Sequence, residues 1–186
     1  LRTDEREVVT PRLILRVPAL ADFDAYAAAW ADPALARFVG GRPRSRGESW
    51  TRFTQAAGFW PLLGFGYWTV RDRATGAFVG TAGLADFARG IPQLEGTPEA
   101  GWAFVPSAWG KGYATETVRA ILDWTTRALP GREVRCIVDP ENAASMRVAE
   151  KAGFRSLGTI ESELGTSVLF AWRSVVQRAG ASESSK

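Results

Sequence analysis

Trp109-Gly110-Lys111-Gly112-Tyr113-Ala114-Thr115 runs straight into the helical stretch Glu116 to Leu129, and the apolar run Ala100 to Val105 upstream of it stops at Pro106. The order predicts strand, short Gly-rich turn, helix. A helix start leaves several backbone N–H groups without intrahelical partners, and the helix dipole favours negative charge there. Two glycines let the backbone approach a bulky anion, so a phosphate or pyrophosphate is the natural guest. A bare Gly-x-Gly also serves as a plain connection, and the wider context has to decide. Two better-known phosphate loops do not fit. A P-loop needs a Gly five residues before Gly110, where Val105 stands, and a Ser or Thr after Lys111, where Gly112 stands. A dinucleotide fingerprint needs Gly or Ala at Thr115 and an acid about twenty residues on, near Arg132.

The 186 residues suit a single domain with a core that needs neither disulfide nor metal, and 46% hydrophobic residues is ordinary for a globular chain. No stretch approaches the roughly twenty apolar residues of a membrane span. The charged start Leu1 to Glu7 lacks the apolar core of a signal peptide, and a cytoplasmic protein is the expectation. Cys136 is the single cysteine, which rules out an internal disulfide, and there is no histidine. His-based triads, His general bases and His-ligated metals are thereby excluded, as is a structural zinc site. Acid–base chemistry must come from Glu, Asp, Tyr, Ser, Lys, Cys, water or the substrate. The net charge of +3 is modest, although the pI of about 9.4 keeps nucleic acid in view. Arg37, Arg42, Arg44, Arg46 and Arg52 cluster, either as a solvated face or as a binding surface.

Arg12 to Val17 alternates apolar and charged residues and predicts a first strand. Asp22 is placed to N-cap an Ala-rich helix to about Trp30, Pro33 begins a connection, and Ser45 opens a second helix over about 46–57. Gly66 to Arg71 and Ala77 to Leu84 read as a hairpin pair, 90–98 as a loop, and 99–105 as a strand. A long helix from Thr115 ends before Pro130-Gly131. Val134 to Val138 is a buried strand, 143–152 a helix with Gly153 as C-cap, and 154–161 and 167–173 a closing strand pair. The expected core covers about residues 8–175 of one domain, with flexible ends at 1–7 and 179–186.

This order resembles the GCN5-related N-acetyltransferase (GNAT) superfamily, an α/β fold with a mixed, mostly antiparallel sheet of about seven strands and about four helices. The residues strengthen the resemblance. The superfamily's pyrophosphate loop, Gln/Arg-x-x-Gly-x-Gly/Ala, matches at Gly112 and Ala114, with Trp109 departing at its first position. Trp-Gly-x-Gly-Tyr-Ala-Thr-Glu is similar to the branch that acetylates N-termini of ribosomal proteins. So are Asn142-Ala143-Ala144-Ser145 through Lys151-Ala152-Gly153-Phe154 and the opening Thr10-Pro11-Arg12-Leu13.

The resemblance implies acetyl-coenzyme A (and its product coenzyme A) as cofactor, with direct attack by a primary amine and no acyl-enzyme. It places Gly110, Lys111, Gly112, Tyr113, Ala114 and Thr115 around the pyrophosphate. Lys111 is equally a solvated turn residue and Tyr113 equally a packing residue. Trp102, Ala103 and Phe104 would pair their backbone with the pantetheine arm. Asn142, also a natural N-cap, would bond that arm. Ser145 would face the same opening and assist the leaving thiolate. It stands in for the tyrosine that many relatives carry seven residues after the Asn, where this chain has Ala149; it is also free to bond its own helix turn. Glu99 is the candidate base and Glu95 the second. Glu116 more readily serves the helix dipole. Phe59, Trp60 and Trp68 are placed near the acceptor pocket or in the core.

The acceptor implied by the branch is a protein or peptide N-terminal α-amine. The alternatives are a small amine (amino acid, polyamine or aminoglycoside) or a module that binds acetyl-coenzyme A without turnover. No membrane partner is expected, nucleic acid only through a ribosomal substrate, and a homodimer is compatible.

Overall fold

Leu13 and Leu15 are fully buried while Arg16 between sheet and solvent is exposed, the period of two that makes residues 13–16 a strand. The computed structural model describes residues 6–174. Its strands are β1 (Val8–Val9), β2 (Leu13–Arg16), β3 (Tyr67–Asp72), β4 (Phe78–Ala85), β5 (Glu99–Phe104), β6 (Glu133–Val138), β7 (Arg155–Ser162) and β8 (Gly165–Arg173). The helices are α1 (Phe23–Trp30), α2 (Pro33–Ala36), α3 (Arg46–Leu63), α4 (Tyr113–Ala128) and α5 (Ala143–Ala152). The strands form one sheet in the order β1-β2-β3-β4-β5-β6-β8-β7. Every neighbouring pair is antiparallel except β5 and β6, which are joined by the crossover through α4.

The α/β fold with a mixed, mostly antiparallel sheet is as expected, with one more strand and one more helix. The extra strand is the two-residue β1, and the extra helix is α2, which begins at Pro33 with the Asp32 carboxylate capping the Ala34 N–H at 2.8 Å. Helix α3 opens at Ser45 with a reciprocal capping box to Glu48. It runs to Leu63, six residues past its expected end. Pro61 sits in the last turn, and Phe59 and Trp60 are buried there, so tertiary burial carries the helix over the breaker. Asp22 occupies the N-cap position of α1, but its carboxylate makes no cap there. It accepts from Ala19 N–H at 3.0 Å and from Arg71 Nη2 at 2.5 Å, holding the turn before α1 onto β3. The tail 179–186 lies outside the described residues.

The larger core lies between the sheet and helices α4 and α5. Its centre is a triangle of edge-on indoles: Trp60–Trp68 at 4.6 Å, Trp68–Trp124 at 5.2 Å and Trp60–Trp124 at 5.8 Å. Such pairs each add about 0.5–1.5 kcal/mol beyond area burial. The smaller core joins α1, α2 and the first half of α3 through Phe23, Tyr26, Trp30, Leu35 and Phe53. Between these layers the sheet opens.

Candidate active site

Strands β5 and β6 meet at one residue pair, Glu99 opposite Arg135, where Arg135 N–H donates to the Pro98 carbonyl at 3.0 Å. Beyond that pair they diverge. On its other edge β5 stays in register with β4 through Phe104, and Val105 N–H donates to Val79 C=O at 3.0 Å. Backbone groups alternate between the two edges of a strand. Gly101 and Ala103 are therefore committed to β4, and Trp102 N–H and C=O face the opening. The Phe104 carbonyl on that edge is already met by the Trp109 indole N–H at 2.7 Å. Of the three strand residues expected to offer backbone, Trp102 is the one left able to do so on both its groups.

The opening continues into a cleft of about 850 Å³. Asn142 and Ser145 line it on one side of the divergence, and Glu99, Tyr67, Phe59 and the α1–α3 layer on the other. Asn142 Oδ1 accepts the Ser145 N–H at 3.0 Å, the N-cap of α5, which leaves its side-chain NH2 to the cleft. Ala149, a turn further on, is fully buried in the larger core.

The Gly-rich turn is held from behind. Gly110 and Gly112 have φ of 72° and 77°, the left-handed region that only glycine enters without strain. Gly112 is the N-cap of α4 and has no side chain to cap the helix, which leaves the first N–H groups free of an N-cap partner. Arg12 Nη1 donates to the Lys111 carbonyl at 2.8 Å, and its guanidinium pairs with Glu116 at 2.6 Å. Glu116 also accepts from the Thr10 hydroxyl at 2.6 Å. Burial opposes its charge, but the Thr10 and Arg12 hydrogen bonds outweigh it and hold the carboxyl below the usual range. Glu116 thus braces the turn through Arg12, a contact across a hundred residues that no local pattern reveals. Tyr113 packs beneath Arg12 and donates to Asp72 at 2.7 Å. An uncapped helix start and two left-handed glycines fit a pyrophosphate, and the unpaired Trp102 backbone fits an amide-bearing arm.

Glu99 is buried, and its carboxylate meets Arg89 Nη2 at 2.5 Å. Burial pushes its carboxyl above the ordinary range, against the pull of Arg89. Arg89 reaches it from a turn in which Ala88 has φ of 46° and its N–H bonds Asp86 at 3.1 Å. A non-glycine residue held in that region is strained. Here the strain aims Phe87 and Arg89 at the cleft. Two residues along β5, a Cβ at Gly101 would lie 2.1 Å from Tyr67 Oη, so the glycine is what admits this phenol to the cleft floor. Burial raises the Tyr67 pKa.

Of the residues expected on the acceptor side, Trp60 and Trp68 take the core alternative, and Glu95 does not line the cleft. Trp60 and Trp68 form the indole triangle of the core, at 1% and 0% exposure, because their rings are needed against Trp124 rather than at the surface. Glu95 is exposed on the 90–98 loop and borders a small pocket that shares Phe87, Arg89 and Glu99 with the cleft, but it does not line the cleft itself. Phe59 does line it. Cys136 is buried, and burial pushes its thiol up, which removes it as a nucleophile.

Residues 12–155 match the Acetyltransferase (GNAT) domain family. The chain is 26% identical over 152 residues to the uncharacterized N-acetyltransferase p20 of Bacillus licheniformis, covering 81% of this chain and 83% of that one. It is 36% identical over 100 residues to YkkB of Bacillus subtilis, a match that spans 52% of this chain and about half, 55%, of the relative. Among solved structures, a GnaT-family acetyltransferase of Bordetella pertussis superposes with a TM-score of 0.79 at 27% identity, over 90% of this chain and 99% of that one. The aminoglycoside acetyltransferase AAC(6')-Ib, solved with coenzyme A, shares the fold with a TM-score of 0.74 at 18% identity, over 87% and 94%. With the cleft, the glycine turn and these likenesses together, the chain belongs to the GNAT family of N-acetyltransferases, whose acetyl donor is acetyl-coenzyme A.

Proposed function

We propose that this acetyltransferase acts on the α-amine of a protein or peptide N-terminus, with Glu99 as base and Ser145 as the partner of the leaving sulfur. The observation that carries the reading is that Glu99 and Ser145 line one cleft from opposite sides of the β5–β6 divergence. Acetyl-coenzyme A supplies the acetyl group as a thioester. The uncapped N–H groups at the start of α4, with Thr115, hold the pyrophosphate. Trp102 backbone and the Asn142 amide hold the pantetheine arm. Unpaired N–H groups facing the divergence are placed to stabilise negative charge on a carbonyl oxygen.

Glu99 takes a proton from the acceptor's ammonium, directly or through one water. Its raised pKa brings it closer to that of an α-amine, which favours the transfer. Arg89 favours the ionised carboxylate and so works against the effect of burial. Ser145 Oγ–H donates a hydrogen bond to the departing sulfur, an interaction that grows as charge develops there. No Ser-His or Cys-His couple is required, in keeping with a chain that has no histidine. Among the described residues no helix is long and apolar enough to cross a membrane.

A cleft of about 850 Å³ also has the size of a small-molecule site. A panel of N-terminal peptides, their Nα-blocked lysine counterparts, spermidine and kanamycin, read by thiol release, separates the two. Acetylation of free N-terminal peptides above the rest supports the proposal. Turnover of spermidine or kanamycin alone overturns it.

A further inference from the structure

In the arginine cluster of residues 37–52, Arg37 is exposed, lines the cleft and lies over the Phe38 ring, and the other four divide into two kinds. Arg42 pairs with Glu48, and Arg46 pairs with Asp24 at 2.7 Å; both are outward-facing. Arg44 and Arg52 turn the other way and line the cleft. Both lie over the same indole, Trp30, with their guanidinium carbons 5.3 and 4.7 Å from its centroid. Among the described residues neither has an ion-pair partner. Arg44 donates to the Val39 carbonyl at 3.4 Å, and its Nε is buried with no hydrogen-bond partner. Arg52 reaches the Tyr26 phenol beneath the indole.

Two guanidinium groups on one ring repel each other, and the smaller dielectric of a cleft makes this worse than in water. Burial and the charge of Arg52 both weigh against protonated Arg44. The other cleft charges do not neutralise them. Glu99 is in contact with Arg89 and acts on Arg52 only through its charge, and the Asp139 carboxylate accepts the Glu141 N–H in its own turn. Glu48 acts on Arg44 only at a distance, being bound to Arg42 and Ser45. This end of the cleft therefore holds two forked positive groups that, among the described residues, have no carboxylate in ion-pair contact; Glu48 and Glu99 act on them only from a distance. Planar bidentate anions suit such a pair.

Resting on the α-amine reading above, we propose that the acceptor carries a carboxylate close to its amine and that Arg44 and Arg52 bind it. The carboxylate comes either from an acidic side chain next to a peptide N-terminus or from the α-carboxylate of a free amino acid. A polycationic acceptor such as an aminoglycoside or polyamine meets the wrong sign of charge here.

The test compares kcat/KM for Ser-Asp-Ala-Ala-amide with its isostere Ser-Asn-Ala-Ala-amide, and free serine with serinamide. At low salt the carboxylate-bearing member of one pair should lead by roughly tenfold, the scale of one charge-assisted hydrogen bond. The lead should lie mostly in KM and shrink as salt rises. Which pair shows it identifies the source of the carboxylate, and a lead confined to free serine supports the inference while overturning the protein or peptide acceptor. The ratio should fall toward one in Arg44→Gln and Arg52→Gln and persist in Arg46→Gln, which removes the same charge outside the cleft. Equal kcat/KM within both wild-type pairs overturns the inference and leaves the α-amine reading standing. Turnover of spermidine or kanamycin with none of the four overturns both. If nothing is turned over, calorimetric titration with the Asp and Asn peptides decides: tighter binding of the Asp peptide supports the inference and equal binding sinks it.

Discussion

The Arg89 guanidinium lies 2.5 Å from the buried Glu99 carboxylate at the last point where β5 and β6 still touch. The pair sets the charge state of the candidate base. Arg89→Gln should leave the carboxylate buried without its ion-pair partner, and burial, then opposed only by the more distant charge of Arg52, should raise its pKa further. The acid limb of kcat/KM should move to higher pH. Stability at neutral pH should fall by about 1–3 kcal/mol. Since the folded-state pKa is raised above the unfolded one, the deficit should be full above it and vanish as pH falls and Glu99 protonates. Urea melts at two pH values check this; a deficit that is the same at acid pH would assign the loss to packing.

Acetyl-coenzyme A should stabilise the fold by about 2.7 kcal/mol at a hundredfold excess over its Kd. Gly112→Asp should abolish that gain, because the carboxylate would sit where the pyrophosphate is held and because φ of 77° strains any side chain there. Gly112→Asn, which tolerates the left-handed region better, should retain part of it. Thermal shifts with and without acetyl-coenzyme A measure both. A full shift in Gly112→Asp would move the pyrophosphate elsewhere.

Gly101→Ala should displace the Tyr67 phenol, since the added Cβ would lie 2.1 Å from its oxygen. Activity should drop. In Gly101→Ala/Tyr67→Phe the clash is relieved, so the two changes should be non-additive in stability by about 0.5–3 kcal/mol. Strict additivity would mean that the two groups do not meet.

Much of this site can be read from sequence because it rests on local geometry. The turn at Gly110 and Gly112, the cap at Asn142 and the helix stop at Gly153 each follow from what one residue type can do with its own backbone. What stays hidden depends on long-range packing. Trp60 and Trp68 carry the same aromatic signal as Phe59, and only the position of Trp124 on α4 makes them core. Arg12 looks like an outer-strand charge until the fold brings it to Lys111 and Glu116. The alternate orientation of Arg42, Arg44 and Arg46 is set by the loop before α3 and by the location of Trp30. Tyr67 and Arg89 gave no pattern at all, one being a strand residue and the other part of an ordinary turn.

Ser145→Ala should lower kcat by about tenfold or more with little change in acetyl-coenzyme A affinity. It keeps the backbone N–H that Asn142 caps and loses only the hydroxyl. Asn142→Ala should instead cost about 1 kcal/mol of stability through the lost cap, together with cofactor affinity. Single-turnover rates and equilibrium titration separate them. Equal loss of affinity in Ser145→Ala would make Ser145 a binding residue.

The pH dependence of Glu99→Gln tests the central claim most directly. A base becomes dispensable once the acceptor amine is already neutral, and an α-amine has a pKa of about 7.7–8.0 against about 10.4 for a lysine side chain. With an N-terminal peptide as acceptor and chemistry limiting, the variant should be most impaired at acid pH and recover toward the wild-type rate near pH 8. A variant whose rate equals wild type from acid to alkaline pH would remove Glu99 from the mechanism, and recovery only near pH 10 would contradict the α-amine.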